Sequence, residues 1–477
     1  MLCAIVLGLG LSALPVWGQT STPARTPTPA APPAATATND DAWKRSQLLG
    51  DMNGIRPALE RRGMTLSVNE TSEVLINISG GLERGGNYQG LTTVTWGLDT
   101  KQAGLWTGGS INLSLLQIHG NEFSPEHLGS LQTASGIEAP SQTRLWEAWF
   151  EQKMPGGKVD VRLGQQSIDQ EFMSSQYSAT FVETMFGWPA VPSYDMVDGG
   201  PAYPLSGLGA RARAQVSKDL TLLTGVFAGN PAGDHGTDFS LDGGVLFLGE
   251  LQYGGRPGFR RPREPRHRLP GVAAPSGADS GGLPGTYKIG MWYASTEFAD
   301  QYIDDRGLSM ANPASDGRPL MHGGNYSVYA VADQTIWQAA EGSPRAVDVF
   351  SRIMGAPGDR NLVSFSSNFG ITMTAPFAGR DSDVVGLALG VVTVGSHVRD
   401  LDRDIGLFGG NAAYPVRRLE TVVEATYQYH AAPWWQLQGV LQYTLKPGAG
   451  ATADGTPADR TRIPNSWVVG VHTGINF

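Results

Sequence analysis

The chain reads as an all-β protein, a transmembrane antiparallel β-barrel with a short helical segment at its N-terminal side. Three observations predict this. Segments with one apolar and one polar face recur along most of the 477 residues. No stretch beyond the N-terminus reaches the roughly 18 uninterrupted apolar residues of a spanning helix. The chain also ends on a two-faced segment closed by an aromatic. There Trp467, Val469, Val471, Ile475 and Phe477 share one parity, and Ser466, Gly470, His472, Gly474 and Asn476 the other.

In chain order, residues 1–18 have the apolar run of an export signal, with Val16 and Gly18 before a cut near Gln19, although a basic leading region is missing. Cys3, the only cysteine, lies inside this run, so the mature chain is expected to have no disulfide, thiol nucleophile or cysteine-held metal. Residues 19–39 are rich in Thr, Pro and Ala, which cannot pack a core, and predict a disordered leader. Residues 40–63 place Leu48, Leu49, Met52, Ile55 and Leu59 at helical spacings interrupted by Gly54 and Pro57. Residues 64–477 form the predicted barrel.

Within that body the alternation is explicit. Leu66, Val68, Val74, Ile76 and Ile78 oppose Asn69, Thr71, Glu73 and Asn77. Val159, Val161 and Leu163 oppose Asp160, Arg162 and Gln166, and Ala212, Ala214 and Val216 oppose Arg211, Arg213 and Gln215. Tyr287, Ile289, Met291 and Tyr293 oppose Lys288, Gly290 and Trp292. Near the end, Leu419, Val423, Tyr427 and Tyr429 oppose Glu420, Glu424, Gln428 and His430, and Trp435, Leu437, Leu441 and Tyr443 oppose Gln436, Gln438, Gln442 and Thr444. A soluble sandwich would alternate too. Aromatics at the ends of the apolar faces, such as Tyr287, Tyr293, Trp435, Tyr443 and Trp467, instead suit membrane-interface girdles. The charged opposite faces then suit a water-filled lumen.

Residues 254–285 break the rhythm with Arg256, Arg260, Arg261, Arg263, Arg266 and Arg268 among prolines and glycines. They read as a solvated loop, with lipopolysaccharide contact as the sharper alternative. A net charge of -9 and a pI near 5.4 argue against nucleic-acid binding.

Several strings, in order, resemble the carbohydrate-selective porin (OprB) family. They are residues 49–59 (LGDMNGIRPAL), 62–66 (RGMTL), 144–152 (RLWEAWFEQ), 162–169 (RLGQQSID), 200–204 (GPAYP), 287–293 (YKIGMWY), 349–352 (VFSR), 356–360 (APGDR) and 433–443 (PWWQLQGVLQY). The resemblance implies a sixteen-stranded outer-membrane barrel that admits sugars such as glucose, with long outer loops folded inward. It also implies the outer membrane and its lipid as surroundings, and a final Phe477 read by assembly machinery. It leaves monomer and homotrimer both open. A general-diffusion porin and a barrel-anchored surface or adhesive protein are the alternatives.

A sugar presents hydroxyls and apolar C–H faces, so a selective pore needs donors, acceptors and a stacking ring, bound weakly enough for release. Parity nominates Arg162, Arg211, Arg213, Lys288 and Arg352 as donors and Glu73, Asp160, Asp348, Glu420 and Glu424 as acceptors. Trp146 and Trp292 are candidate rings, and Glu83 and Arg84 follow the first strand in a turn near the pore. For each residue the plainer reading is an ion pair that organises the wall. Enzyme readings are weak. Glu420 and Glu424 lie roughly 13 Å apart at about 3.3 Å per residue, too far for a glycosidase pair. The eight histidines include no HxH or HExxH pair, and no GxSxG elbow occurs. No cofactor or metal is expected.

Overall fold

The computed structural model describes residues 42–233, 235–237, 243–256, 282–411, 413–453 and 462–477; the predicted export signal and leader lie outside them. A two-faced strand whose outer side is apolar can bury its edges only by pairing on both sides, so the wall closes on itself. Sixteen antiparallel strands do this. The first four are β1 (Met64–Ser79), β2 (Gly85–Asp99), β3 (Gly109–Gly120) and β4 (Gln142–Lys153). Next come β5 (Val159–Gln166), β6 (Gly207–Gln215), β7 (Leu220–Ala228) and β8 (Val245–Gly255). The second half begins with β9 (Gly285–Asp304), β10 (Pro319–Gln338), β11 (Ala346–Gly355) and β12 (Val363–Thr374). It ends with β13 (Val384–Val394), β14 (Leu419–Ala432), β15 (Trp435–Leu445) and β16 (Ser466–Asn476).

Each strand pairs with its sequence neighbours, and β16 returns to β1 with Glu73 opposite His472 and Val74 opposite Val471. Parity sets the faces as the sequence predicts. Along β1, Val74, Ile76 and Ile78 face outward at 42–49% exposure, while Glu73, Leu75 and Asn77 face inward at 0–2%. Aromatics pair across strands at two levels of the outer wall. Tyr253 lies opposite Tyr287, Phe247 opposite Tyr293, and the Tyr443 and Trp467 rings are 4.4 Å apart.

An even strand number puts both termini at one end. Most turns there are short, as between β4 and β5 or β14 and β15, whereas long segments such as 121–141, 167–206 and 395–418 leave the other end. Short turns mark the periplasmic side and long loops the outside. Gly255 and Gly285, which pair with each other, lie at the end that carries the termini. The expected solvated loop and its lipopolysaccharide alternative fall on residues 257–281, outside the described part.

The predicted helical segment contains one short helix, α1 (Ile55–Glu60). The residues before it form turns because Met52, Asn53 and Gly54 all have positive φ, at 51°, 55° and 82°. This segment docks at the seam where the barrel closes. The Leu48 amide donates to the Asn476 carbonyl at 2.8 Å, and the buried Arg56 guanidinium donates to the carbonyls of Gly50 and Phe477.

Candidate functional site

Segment 167–206 leaves the outer end of β5 and turns into the barrel. An inward loop must find partners for its backbone, and the wall supplies them. The Glu424 carboxylate accepts from the Val182 and Glu183 amides at 2.8 and 2.9 Å. Asp333 accepts from Ser175 Oγ and the Gln176 amide, and Glu250 accepts from the Met173 amide at 2.8 Å. Glu147 accepts from the Ser167 amide at 3.0 Å. The short helix α2 (Thr184–Gly187) leaves its last carbonyls without partners. Arg352 takes them: its guanidinium donates to the carbonyls of Met185, Phe186, Gly187 and Met173. The second inward segment, 121–141, is held the same way, with Glu420 accepting from the Leu131 and Gln132 amides at 2.8 and 2.7 Å.

Apolar packing decides which half of the lumen fills. Phe172, Met185, Trp188 and Val191 from segment 167–206 pack against Leu246, Trp292 and Met354 on the inner wall. Against β1–β4 lies a cavity of about 330 Å3. Asn69, Thr71, Thr93 and Trp146 line it from the wall. Glu138 comes from segment 121–141, and Asp169, Gln170, Trp188 and Tyr203 from segment 167–206. Hydroxyl, amide and carboxyl groups thus face a space that also has three aromatic rings.

The carboxyls here are perturbed. Burial pushes Glu138 up to about 7, against hydrogen bonds from the Ser124 amide and hydroxyl at 2.7 and 2.8 Å that work the other way. Burial also raises Asp169, which accepts from Ser167 Oγ at 2.6 Å and the Tyr203 amide at 3.0 Å. Near neutral pH Glu138 is therefore in part a neutral hydrogen-bonding partner rather than a fixed charge.

Beside the cavity β5 and β6 carry a charge ladder. Arg162 meets Glu151 at 3.0 Å and Glu171 at 3.2 Å, with its guanidinium 4.0 Å from the Trp149 ring centroid. Arg211 meets Glu151 at 2.8 Å, Glu171 at 2.6 Å and also Asp160. Arg213 meets Asp160 at 2.9 Å, its side chain 43% exposed. Three cations and three anions balance one another, leaving a strip dense in donors and acceptors without net charge.

The nominated residues thus divide. The ladder brings Arg162, Arg211 and Arg213 together, and Trp146 faces the adjacent cavity, its indole donating to the Leu205 carbonyl at 3.2 Å. Glu73 is 2% exposed and lies 2.6 Å from His472 Nδ1 across the closing strand pair. Arg84 is exposed in the turn after β1, apart from the cavity. Two expectations need correction. Trp292 is 0% exposed within the apolar core under segment 167–206, so its ring is closed to a permeant. Arg352 is 1% exposed and directed to loop carbonyls, so it fastens the loop. Parity missed Glu138, Asp169, Gln170, Trp188 and Tyr203, because loops have no two-residue period. Their only sequence signal was that Asp169 and Tyr203 fall within the strings RLGQQSID and GPAYP.

A closed strand wall with an apolar belt, polar lumen and inward loops defines a class, the outer-membrane porins. Residues 83–477 match the family model described as carbohydrate-selective porin, OprB family, and the chain belongs to that family. It is 22% identical to Porin B of Pseudomonas aeruginosa over 424 residues, 84% of this chain and 87% of that protein. It is also 22% identical to the putative porin QuiX of Acinetobacter baylyi over 458 residues, 92% and 95% of the two chains. The high-pH structure of Pseudomonas putida OprB has the same fold, with a TM-score of 0.77 at 20% identity, covering 91% of this chain and 99% of that one. The protein is a sugar-selective porin of the bacterial outer membrane.

Proposed function

We propose that monosaccharides of the glucose type are the preferred permeants and that they pass without energy coupling along the cavity and the β5–β6 ladder. The observation that carries this is the joining of Trp146, Trp188 and Tyr203 with Glu138, Asp169 and Gln170 in one space. Rings cover the apolar face of a pyranose, and the polar groups meet its hydroxyls in place of water. Arg162 and Arg213 extend the donors beyond the cavity, while Glu73 shapes the wall and Arg84 meets the permeant at the outer rim. Mutual neutralisation in the ladder and upward-shifted carboxyls suit a neutral solute better than an ion. Weak contacts in series allow entry and exit. Residues 1–18 act as the export signal and 19–39 as a spacer; amino-terminal sequencing of the mature protein tests that cut.

Liposome swelling with the purified barrel is the deciding experiment. Glucose is expected to enter faster than neutral non-sugars of equal size and faster than trisaccharides. Equal rates for glucose and the size-matched non-sugars would reduce the protein to a general pore.

A further inference from the structure

The two inward segments are braced against each other as well as against the wall. The Gly136 amide donates to the Val182 carbonyl at 2.8 Å, and the Thr184 amide to the Thr133 carbonyl at 3.0 Å. Tyr194 Oη donates to the Leu131 carbonyl at 2.6 Å, and Tyr203 Oη to the Ile137 carbonyl at 2.8 Å. The Tyr203 bond differs from the others in its place, because Ile137 immediately precedes Glu138. The Tyr203 ring also packs against a cluster that contains Ala139, the residue after Glu138, with Leu116, Ile118 and Trp146. On its backbone side, the Tyr203 amide donates to Asp169 Oδ2 at 3.0 Å. One residue thus touches the supports of both carboxyls that line the cavity. Tyr203 is itself fastened beside the exit of β5. There the Ile168 amide donates to the Pro201 carbonyl at 2.8 Å, and the Trp146 indole to the Leu205 carbonyl at 3.2 Å.

Resting on the reading of this cavity as the sugar path, we infer that Tyr203 is a positioning residue. It sets the gap between Glu138 and Asp169, and so the fit of a permeant between them. Hydrogen bonds of this kind are short and directional, so loss of the hydroxyl lets the stretch around Glu138 draw away from Asp169. Glu138 then meets more water. Its neighbours are Ser124 and Glu122, which move with it on segment 121–141, and the neutral Gln89 of β2. Burial is the main cause of its upward shift, so hydration reverses that shift. Burial also holds the Tyr203 phenol well above its usual range, so the hydroxyl donates throughout such a titration.

Tyr203→Phe tests this, since it keeps the ring, removes the hydroxyl and leaves the backbone pairs that close the barrel. In bilayer recordings the midpoint of pH-dependent cation selectivity should fall from about 7 toward the 4.5 of an ordinary glutamate. In swelling assays the advantage of glucose over size-matched non-sugars should fall about fivefold, the worth of one net hydrogen bond. A 4-aminophenylalanine at position 203 returns a donor and should restore both values. Tyr194→Phe removes a brace at Leu131, which Glu420 also holds through the Leu131 amide, and should leave the midpoint in place. An unchanged midpoint in folded Tyr203→Phe barrels overturns the inference, as does an equal shift in Tyr194→Phe. The sugar reading fails separately: parent barrels that give glucose no advantage remove it, whereas a moved midpoint still puts Glu138 under the control of Tyr203.

Discussion

Replacing Arg352 with methionine should open the pore while leaving the barrel closed. The substitution keeps a long side chain but removes the donors that serve the carbonyls of Met173, Met185, Phe186 and Gly187, together with Asn368 Oδ1. Charge-assisted hydrogen bonds contribute about 1.5–3 kcal/mol each and are not additive. Even about 3 kcal/mol shifts the balance between seated and released segment 167–206 by more than a hundredfold, since about 1.4 kcal/mol is tenfold. The wall is spared because β11 pairs with β10 and β12 through its backbone. Glu424, Asp333 and Glu250 still hold part of the loop, so the effect falls on sugar selection rather than on folding. Swelling assays should show di- and trisaccharides entering at rates near that of glucose, with larger single-channel conductance. Arg352→Lys should be intermediate, because one ammonium cannot reproduce a guanidinium fork over several carbonyls. An Arg352→Met barrel that stays folded and keeps the parent's size limit would refute the claim that Arg352 seats the loop.

Three other outcomes are expected. Raising the pH through about 7 should ionise Glu138 and increase cation over anion selectivity in bilayer recordings, and Glu138→Gln should flatten that dependence. The sign for stability agrees: a carboxyl raised in the folded state holds its proton longer than in the unfolded chain, so its contribution declines as pH rises from about 4.5 to about 7. Trp146→Ala should weaken sugar block of the ion current about fivefold, the equivalent of about 1 kcal/mol for roughly 40 Å2 of apolar contact, whereas Trp146→Phe should retain most of it. Deleting Phe477 should lower the fraction of chain recovered as inserted, heat-modifiable barrel, with sugar preference unchanged in the barrels that form; normal recovery would remove its role in assembly.

The wall was legible because its code is local. Residues 74–78 alternate so strictly that β1's faces follow from parity alone, and the same reasoning pairs 467–477 with the first strand. What parity cannot give is occupancy of the lumen. Glu420 and Arg352 were placed on the inner face as predicted, yet their partners are backbone groups of Leu131 and Met185, far away in sequence. A charged inward residue reads the same whether water or a folded loop faces it. Trp292 illustrates that ambiguity: parity makes it an inward ring suited to a sugar, and segment 167–206 covers it.

The closing pair of β1 and β16 also dictates when the protein can become itself. Glu73 and His472 are 399 residues apart in the chain, and Arg56 and Phe477 are 421 apart. Contacts of such long range are slow to form and cannot be rehearsed by any fragment. A nascent chain lacking its last strand would carry two unsatisfied sheet edges, each a template for pairing with the wrong partner. The barrel therefore cannot be sealed until β16 has been made, and the segment around α1 waits for that strand.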